Sequence, residues 1–556
     1  MEQEELSKKK EKLSSFLKDN SRIIFLAILI LGVIIRLYYF YLTKNQPLWW
    51  DEADYMAYAK NLAGIDNHWI INEQHNSLFP YIAALFFKIG LSDVVIKFFL
   101  EFIPSVVIVY LTYKILILMY QDKRIALIST FLMATFWEIL FNSFRFHVDN
   151  PALMFGFLAI FVFWQGYEKK EKIFGKIDPK WAIFIAVFLV ILVYSIRRGY
   201  FLFGFFFLLY MLLTRKFKDL IKDKYNWFAL VFAVILLIIT EKFVFLSKIS
   251  NVAGLYYSAK DTPFNWSPFQ IFGTFFDNLN NSTFSVLTYL FFIGLIIIIF
   301  ELFLAIGYYK KEDINSDVRS NLFMFITLLL TLSFFLFFLR IPLYAGVGDP
   351  RWYYTILLSC FVAISKSSLF ITDFIKKYNK TISIVLLIGL VGFGGYYELQ
   401  HADMIIKSKI STYEGIKESS LYVKDISKPN DVVVSISNSQ IAYYSEREVF
   451  DPRTNETGTP SMDTNFETFL WQLSKNNNIK YIIITFSEPN YPQWMRDEVQ
   501  NPQTGQVSKW TIPFMDTAID FVNNNQDIKQ EKTYGDITFK LLTIKQDSFI
   551  YTISRK

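Results

Sequence analysis

The run IIFLAILILGVIIRLYYFYL, residues 23–42, decides the fold class of this chain. It carries a single charge, Arg36, and it is long enough as a helix to cross the ~30 Å hydrocarbon core of a bilayer. The preceding residues 1–22 are highly charged, and no small-residue cleavage site follows the run. We therefore expect a retained membrane span and not a cleaved signal peptide.

The composition indicates a polytopic α-helical membrane protein. Of 556 residues, 53% are hydrophobic and 19% are aromatic, which is more apolar surface than a soluble domain of this size buries. We predict eleven spans, and the apolar stretch 79–90 is expected to lie at the interface or to be re-entrant because it is short. The predicted spans are 23–42, 95–118, 125–142, 151–166, 181–195, 200–213, 227–246, 284–306, 321–339, 353–370 and 382–397.

The distribution of Lys and Arg predicts the orientation of these spans. With residues 1–22 in the cytosol, the connections on that side contain 24 Lys and Arg, against 10 on the opposite side. Positive residues concentrate in cytosolic loops, so we predict a plasma-membrane protein with a cytosolic N-terminus. Its net charge of +6 is modest and favours bilayer orientation over nucleic-acid binding. The outer segments are then 43–94, 143–150, 196–199, 247–283, 340–352 and the C-terminal tail.

The tail has the sequence pattern of a soluble α/β domain. DVVVSISNS (431–439), YIIITFS (481–487) and ITFKLLTIK (537–545) are β-type runs, and FETFLWQLSKNNN (466–478) has apolar residues at helical spacing. We predict a cytosolic segment 1–22, a transmembrane domain 23–397 and an extracytoplasmic α/β domain 398–556.

The first outer loop begins PLWWDEADYMAYAKNL, residues 47–62, and places Asp51, Glu52 and Asp54 just after a membrane exit. A Trp pair followed by acids is typical of an interfacial belt and of a helix start. It also suits a carboxylate that takes the proton of a hydroxyl beside the membrane. The spacing alone leaves both interpretations open.

A second outer segment, FRFHVDNP at 144–151, packs Arg145, His147 and Asp149 into a short turn between two predicted spans. Arg145 on its own would be read as an anchor that extends toward the headgroups. A carboxylate at the rim of the bundle must meet water or pair with a cation, so Asp149 is a candidate site residue.

Two further outer segments supply cations. SIRRG at 195–199 contains Arg197 and Arg198, and RIPLYAGVGDPRWYY at 340–354 contains Tyr344 and Arg351. An arginine before aromatic residues can be an interfacial anchor, but its guanidinium also matches a phosphate bidentately. Outer-face acids together with outer-face arginines suit glycosyl transfer from a lipid phosphate: the acceptor hydroxyl needs a base and the departing phosphate needs cations.

The order Asp51-Glu52, His-Val-Asp-Asn-Pro and Asp-Pro-Arg-Trp-Tyr-Tyr resembles the GT-C glycosyltransferases, in particular the protein-mannosyltransferase and aminoarabinose-transferase-like branch, over residues 23–397. The resemblance implies a polyprenyl (dolichyl or undecaprenyl) phosphate sugar donor, Asp51 as base and Arg351 on the donor phosphate. Glu52 would hold the acceptor or the base, and Asp149 would orient the site. The remaining candidates for substrate binding are Asp54, Arg145, His147, Arg197, Arg198 and Tyr344.

Trp-Trp-Asp at 49–51 is similar to an oligosaccharyltransferase motif, but its position in the first loop and the following Glu argue against that match. No cofactor is certain, and a divalent metal stays open because some members of the family use one. The acceptor is unknown: a protein, a lipid or a glycan. The alternative from another class is a transporter or flippase of lipid-linked sugars, although no internal repeat supports it.

Overall fold

The computed structural model describes residues 21–65, 67–71, 75, 77–245, 268–277, 286–309, 315–340, 350–455, 457–485, 492–495, 509–514, 518–520 and 530–556. The chain forms two compact units. The described part of the first, called here the membrane unit, lies within 21–44 and 94–409. The second, called the sheet unit, combines 45–93 with 410–556. The loop after the first span therefore belongs to the same compact unit as the C-terminal tail.

Eight helices of the described chain are long and apolar enough to cross a membrane, which confirms a multi-pass protein, although the predicted number of eleven is not confirmed. Arg198–Thr214 and Leu78–Lys88 are shorter apolar helices. The eight are Ser21–Thr43, Asp93–Met119, Pro179–Ile196, Lys224–Phe245, Val286–Leu304, Ser316–Phe338, Pro350–Lys376 and one within Lys380–Ile426.

Three of the predicted spans differ from the observed helices. The region 125–142 forms two helices, because the backbone at Phe136 is extended and ends the first of them. The region 151–166 begins two residues earlier, as the helix Asp149–Val162, and ends in a π-helical turn, Phe163–Glu168. The last span continues past 397 as Lys380–Lys409, so the predicted domain boundary falls inside a helix. Other helices of this unit are Lys123–Thr135, Trp137–Asn142, Phe217–Lys222 and Pro268–Asp277.

Close packing and buried polar contacts hold the helices of the membrane unit together. A Cβ at Gly294 would lie 1.8 Å from the carbonyl oxygen of Ala363, so the glycine allows these two helices to touch backbone to backbone. Arg36, inside the first span, is fully buried and donates to the Ser105 hydroxyl and the Ala134 carbonyl. It therefore joins three segments instead of reaching the membrane surface.

The sheet unit is built on a six-stranded mixed sheet in the order β2-β1-β3-β8-β7-β6. Strand β1 is parallel to β2 and β3, and the other pairs are antiparallel. A separate antiparallel pair is formed by β4 and β5. The strands are β1 (Val432–Val434), β2 (Val449–Phe450), β3 (Ile479–Thr485), β4 (Lys509–Thr511), β5 (Ala518–Asp520), β6 (Glu531–Tyr534), β7 (Ile537–Lys545) and β8 (Ser548–Arg555).

Both faces of the central strands are buried, which explains their nearly continuous apolar sequence. Val432 and Val434 pack in one core with the helix Phe466–Lys475, and the intervening Val433 packs on the other face with Glu414–Ile426. This alternation follows from the two-residue period of a strand. The predicted C-terminal α/β domain and its three β runs are thereby confirmed, whereas β2, β4, β5, β6 and β8 were not predicted.

Two helices of the first outer loop, Trp50–Leu62 and Leu78–Lys88, complete the sheet unit. The stretch before the first of them is bonded to the helix Asn438–Ser445. The Leu48 amide donates to the Tyr444 hydroxyl at 2.8 Å, and the Gln440 amide group donates to the Leu48 carbonyl at 2.8 Å. These contacts fix the start of the helix that carries the acidic motif.

Candidate active site

Three turns of the membrane unit meet at a buried carboxylate. Asp149 is the first residue of the helix Asp149–Val162, Arg197 follows the helix Pro179–Ile196, and Arg351 lies in the first turn of Pro350–Lys376. The Arg197 Nε is 2.8 Å from Asp149 Oδ1, and the Arg351 Nη1 is 3.9 Å from Asp149 Oδ2. These residues, together with His147 and Tyr200, are called the Asp149 cluster below. The structure therefore brings these three turns to one place.

Exposure differs sharply between the members of this cluster. The Asp149 side chain is fully buried, whereas the side chains of Arg197 and Arg351 retain 12% and 20% of their exposure. A ligand that approaches the cluster therefore meets guanidinium groups before it meets the carboxylate. Such a surface suits an anion, because the partly exposed donors are charged and rigid.

His147 also contacts the guanidinium of Arg351, in addition to Asp149. The Arg351 Nη1 lies 2.7 Å from His147 Nδ1, which requires that this ring nitrogen accept the hydrogen bond. Burial and the charge of Arg351 hold the pKa of His147 well below its usual range, so the ring is neutral at physiological pH. The Glu101 carboxylate accepts a hydrogen bond from the His147 amide at 2.9 Å and fixes the turn.

Tyr200 and Trp352 complete the packing around the arginines. The Tyr200 hydroxyl lies 2.9 Å from the Arg351 carbonyl oxygen and 3.3 Å from Asp149 Oδ1. The Arg197 guanidinium lies 4.7 Å from the centroid of the Trp352 ring, in cation–π geometry. A Cβ at Gly199 would come within 2.7 Å of the same ring, so only glycine lets Trp352 lie this close to the turn.

The other predicted cations of this unit have different neighbours. Arg198 lies 3.6 Å from the Glu241 carboxylate and 3.8 Å from the Phe245 ring centroid. Arg145 lies over the Phe141 ring at 5.1 Å, and its charge also contributes to the lowered pKa of His147. Tyr344 lies outside the described residues.

The acids of the first loop lie in the sheet unit, on the helix Trp50–Leu62. Asp54 is nearly buried: its Oδ1 accepts from the Trp69 indole at 2.7 Å, and its Oδ2 lies 2.6 Å from His75 Nδ1. Glu52 is also buried, with 2% exposure. Asp51 retains 38% of its side-chain exposure and is therefore the most accessible of the three to solvent or a substrate.

Several of these partners carried a weak sequence signal or none. His75 is one of only four histidines and shares a loop with the acids, which could have drawn attention to it. Tyr200 and Trp352 lie close in sequence to the arginines they contact, but aromatic residues are common at membrane interfaces and did not stand out. Glu101 lies in an apolar run and gave no hint of its contact with His147.

The described part of the chain contains no group of three or more His, Cys, Asp or Glu side chains arranged to hold a metal ion. The ring nitrogens of His75 face the Asp51 and Asp54 carboxylates.

Comparisons with known proteins place this geometry in context. Residues 74–240 match the family model described as dolichyl-phosphate-mannose-protein mannosyltransferase, a segment that includes Asp149 and Arg197. ArnT from Cupriavidus metallidurans bound to undecaprenyl phosphate superposes with a TM-score of 0.54 at 9% identity, over 95% of this chain and 97% of that one. The chain has the GT-C fold. Among curated proteins, no sequence matches this chain.

An archaeal oligosaccharyltransferase shares the GT-C fold with this protein. The apo enzyme from Archaeoglobus fulgidus superposes with a TM-score of 0.55 at 12% identity, over 83% of this chain and 69% of that one. The same enzyme in complex with an inhibitory peptide and a dolichol-phosphate gives a TM-score of 0.52 at the same identity and coverage. Identities this low show the fold alone. The family-model match and the ArnT superposition confirm the predicted resemblance to the mannosyltransferase and aminoarabinose-transferase-like proteins.

Proposed function

We propose that this protein is a membrane glycosyltransferase that transfers a sugar from a polyprenyl-phosphate donor to an acceptor hydroxyl at the outer membrane face. The observation that carries the proposal is the Asp149 cluster, in which two partly exposed arginines are held by one buried carboxylate. Two proteins with this fold have been solved with a polyprenyl phosphate, one with undecaprenyl phosphate and one with dolichol-phosphate. A lipid-phosphate donor is therefore the ligand class that this anion site suits best.

In the proposed reaction, the Asp51 carboxylate takes the proton of the acceptor hydroxyl as its oxygen attacks the anomeric carbon. The bond between that carbon and the phosphate oxygen breaks, and the lipid phosphate leaves as an anion. Arg351, with Arg197, stabilises the charge that develops on the phosphate. A phosphate is a good leaving group, so the reaction needs one base and a cationic clamp but no general acid.

The remaining residues have supporting roles in this proposal. Asp149 and neutral His147 hold the guanidinium of Arg351 from two sides, so less side-chain freedom is lost when phosphate binds. Glu52 holds the acceptor or the base. Asp54 acts through its contacts with neighbouring groups, and Arg145, Arg198 and Tyr344 are proposed to contact the donor or acceptor.

The proposal also assigns an orientation, with the sheet unit outside the cytosol. Single cysteines at Thr457 and Lys172, both exposed positions, test it in a Cys360→Ser background. Cys360 is buried, so its replacement removes a weak background signal. A membrane-impermeant thiol reagent should label Thr457→Cys in intact cells and Lys172→Cys only after lysis. Labelling of Lys172→Cys in intact cells would contradict the predicted orientation of the spans.

The decisive test of function is incubation of the purified protein with polyprenyl-phosphate sugars labelled in the sugar, scored by loss of label from the lipid. Asp51→Asn should abolish this loss, whereas Asp463→Asn, an exposed Asp→Asn change in the same unit, should not. A transporter would instead move labelled lipid across a vesicle membrane with the sugar still attached. That result, with no transfer from any donor, would overturn the proposed function.

A further inference from the structure

His75 lies between two acids of the first loop, Asp51 and Asp54. Its Nδ1 lies 2.6 Å from Asp54 Oδ2, and its Nε2 lies 3.8 Å from Asp51 Oδ1. The two acids are three positions apart on the helix Trp50–Leu62, so they face the same side, and the ring of His75 lies against both. The histidine comes from the loop between the two helices of the first outer segment.

The contact with Asp54 shows that Nδ1 carries a hydrogen, so in the neutral ring the lone pair is on Nε2. An oxygen and a nitrogen 2.6 Å apart must share a hydrogen, and a carboxylate has none to give when ionised, so Nδ1 carries the proton. Nε2 is then the nitrogen that faces Asp51. Trp69 donates its indole hydrogen to the other oxygen of Asp54 and holds that carboxylate in place.

We propose that His75 is a positioning residue for the catalytic base: it orients Asp51 and receives the proton that Asp51 takes from the acceptor. The inference rests on the proposed function and deepens it. Asp51 Oδ1 lies 3.8 Å from His75 Nε2, and once Asp51 has taken the proton of the acceptor, an approach of about 1 Å makes a hydrogen bond from Asp51 to Nε2. Asp54 then faces the ring as it becomes positive, so the charge is balanced by a nearly buried carboxylate.

The proton can be followed through each step. The acceptor O–H bond breaks as the new bond to the anomeric carbon forms, and the hydrogen moves to Asp51. It passes from Asp51 to the lone pair of His75 Nε2, which leaves Asp51 ionised and the ring doubly protonated. Release of that proton to water restores the neutral ring. Water can reach the ring because one third of the His75 side chain is exposed.

The competing explanation is that His75 only anchors its loop to the helix. Among the described residues, titratable groups near the ring include Asp51, Asp54 and Tyr55, whose ring centroid lies 5.9 Å away. An anchor would affect stability and substrate binding, whereas a proton acceptor affects the rate and its pH dependence. The two roles therefore predict different measurements.

The test compares His75→Gln, His75→Ala and Asp54→Asn with His68→Gln, an exposed histidine in the same loop. Initial rates of sugar transfer are measured from pH 5 to 9, with and without added imidazole, together with KM for the labelled donor. We expect His75→Gln to lower kcat roughly 10²-fold with KM unchanged, the low end for a group that takes part in proton transfer. The limb of the kcat–pH profile that reports the histidine should disappear.

Imidazole should restore part of the rate of His75→Ala, because the free ring can occupy the space and accept the proton, but it should not restore Asp51→Asn. Asp54→Asn should reduce kcat in the same direction, and His68→Gln should behave as wild type. A His75→Gln variant within twofold of wild type, or a rate loss with lowered melting temperature and no imidazole rescue, would overturn the inference. If wild type is active and only Asp51→Asn is dead, the function stands and this inference alone fails.

Discussion

The Asp149 cluster and the acidic helix Trp50–Leu62 use carboxylates in opposite ways. Asp149 is fully buried and pairs with Arg197 and Arg351, so its negative charge is balanced by side chains of the protein. Asp51 keeps 38% of its side-chain exposure and has a histidine 3.8 Å away, so its charge stays available to a substrate. Similar acidic motifs therefore predict different roles: a buried paired acid positions cations, and an accessible acid can exchange protons.

This contrast predicts that catalysis depends on Asp51 more than on any other side chain. Asp51→Asn keeps the shape of the residue but cannot take a proton, so transfer should fall by about 10²–10⁴-fold. Donor binding and the melting temperature should stay close to wild type, because the side chain is partly exposed. Rates with labelled donor and thermal unfolding in detergent measure both. If Asp51→Asn kept more than half of the wild-type turnover, Asp51 would not be the base.

The buried acid should show the reverse pattern. Asp149→Asn leaves two guanidiniums without their carboxylate, and breaking a buried pair costs on the order of 3–5 kcal/mol. We expect a clear drop in melting temperature together with loss of transfer. Asp463→Asn on the surface of the sheet unit provides the matched control. An Asp149→Asn protein that is as stable as wild type but inactive would assign Asp149 a direct role in the chemistry and erase the contrast.

Substitutions of Arg351 test whether the arginines of the Asp149 cluster bind the donor phosphate. Arg351→Ala removes a charge-assisted contact to the donor phosphate, which should weaken donor binding by roughly 1.5–3 kcal/mol. Arg351→Lys should recover only part of this, since an ammonium lacks the planar fork. Binding of a polyprenyl phosphate to each purified variant is the measurement. Equal affinity of the Lys and Arg forms would indicate an interfacial anchor.

Tyr200 should give the smallest effect. Its hydroxyl contacts Asp149 and the carbonyl of Arg351, so Tyr200→Phe removes contacts within the cluster and none of its charge. We expect a loss of about 1 kcal/mol in stability and a transfer rate that falls no more than a few fold. If Tyr200→Phe lowered the transfer rate more than Arg351→Ala does, the result would indicate that the Tyr200 hydroxyl contacts the substrate.

Much of the fold was accessible from the sequence because long apolar runs and β-type runs report burial directly. The sequence also predicted that Asp149, Arg197 and Arg351 lie on one membrane face, since each follows or precedes a span, and the structure brings the three together. The number of spans was harder to predict. Run length cannot reveal that the backbone breaks at Phe136 or that the last helix continues to Lys409.

The sequence by itself determined that this chain is a multi-pass membrane protein with an α/β tail and charged turns between its spans. Only the tertiary structure decided which charges meet. Arg351 and His147 are 204 residues apart in the chain but 2.7 Å apart in space, and His75 reaches Asp54 through a loop without a periodic pattern. Apolar periodicity is a local property of the chain. The partner of a buried charge depends on how helices and loops pack, so it becomes visible only in the folded molecule.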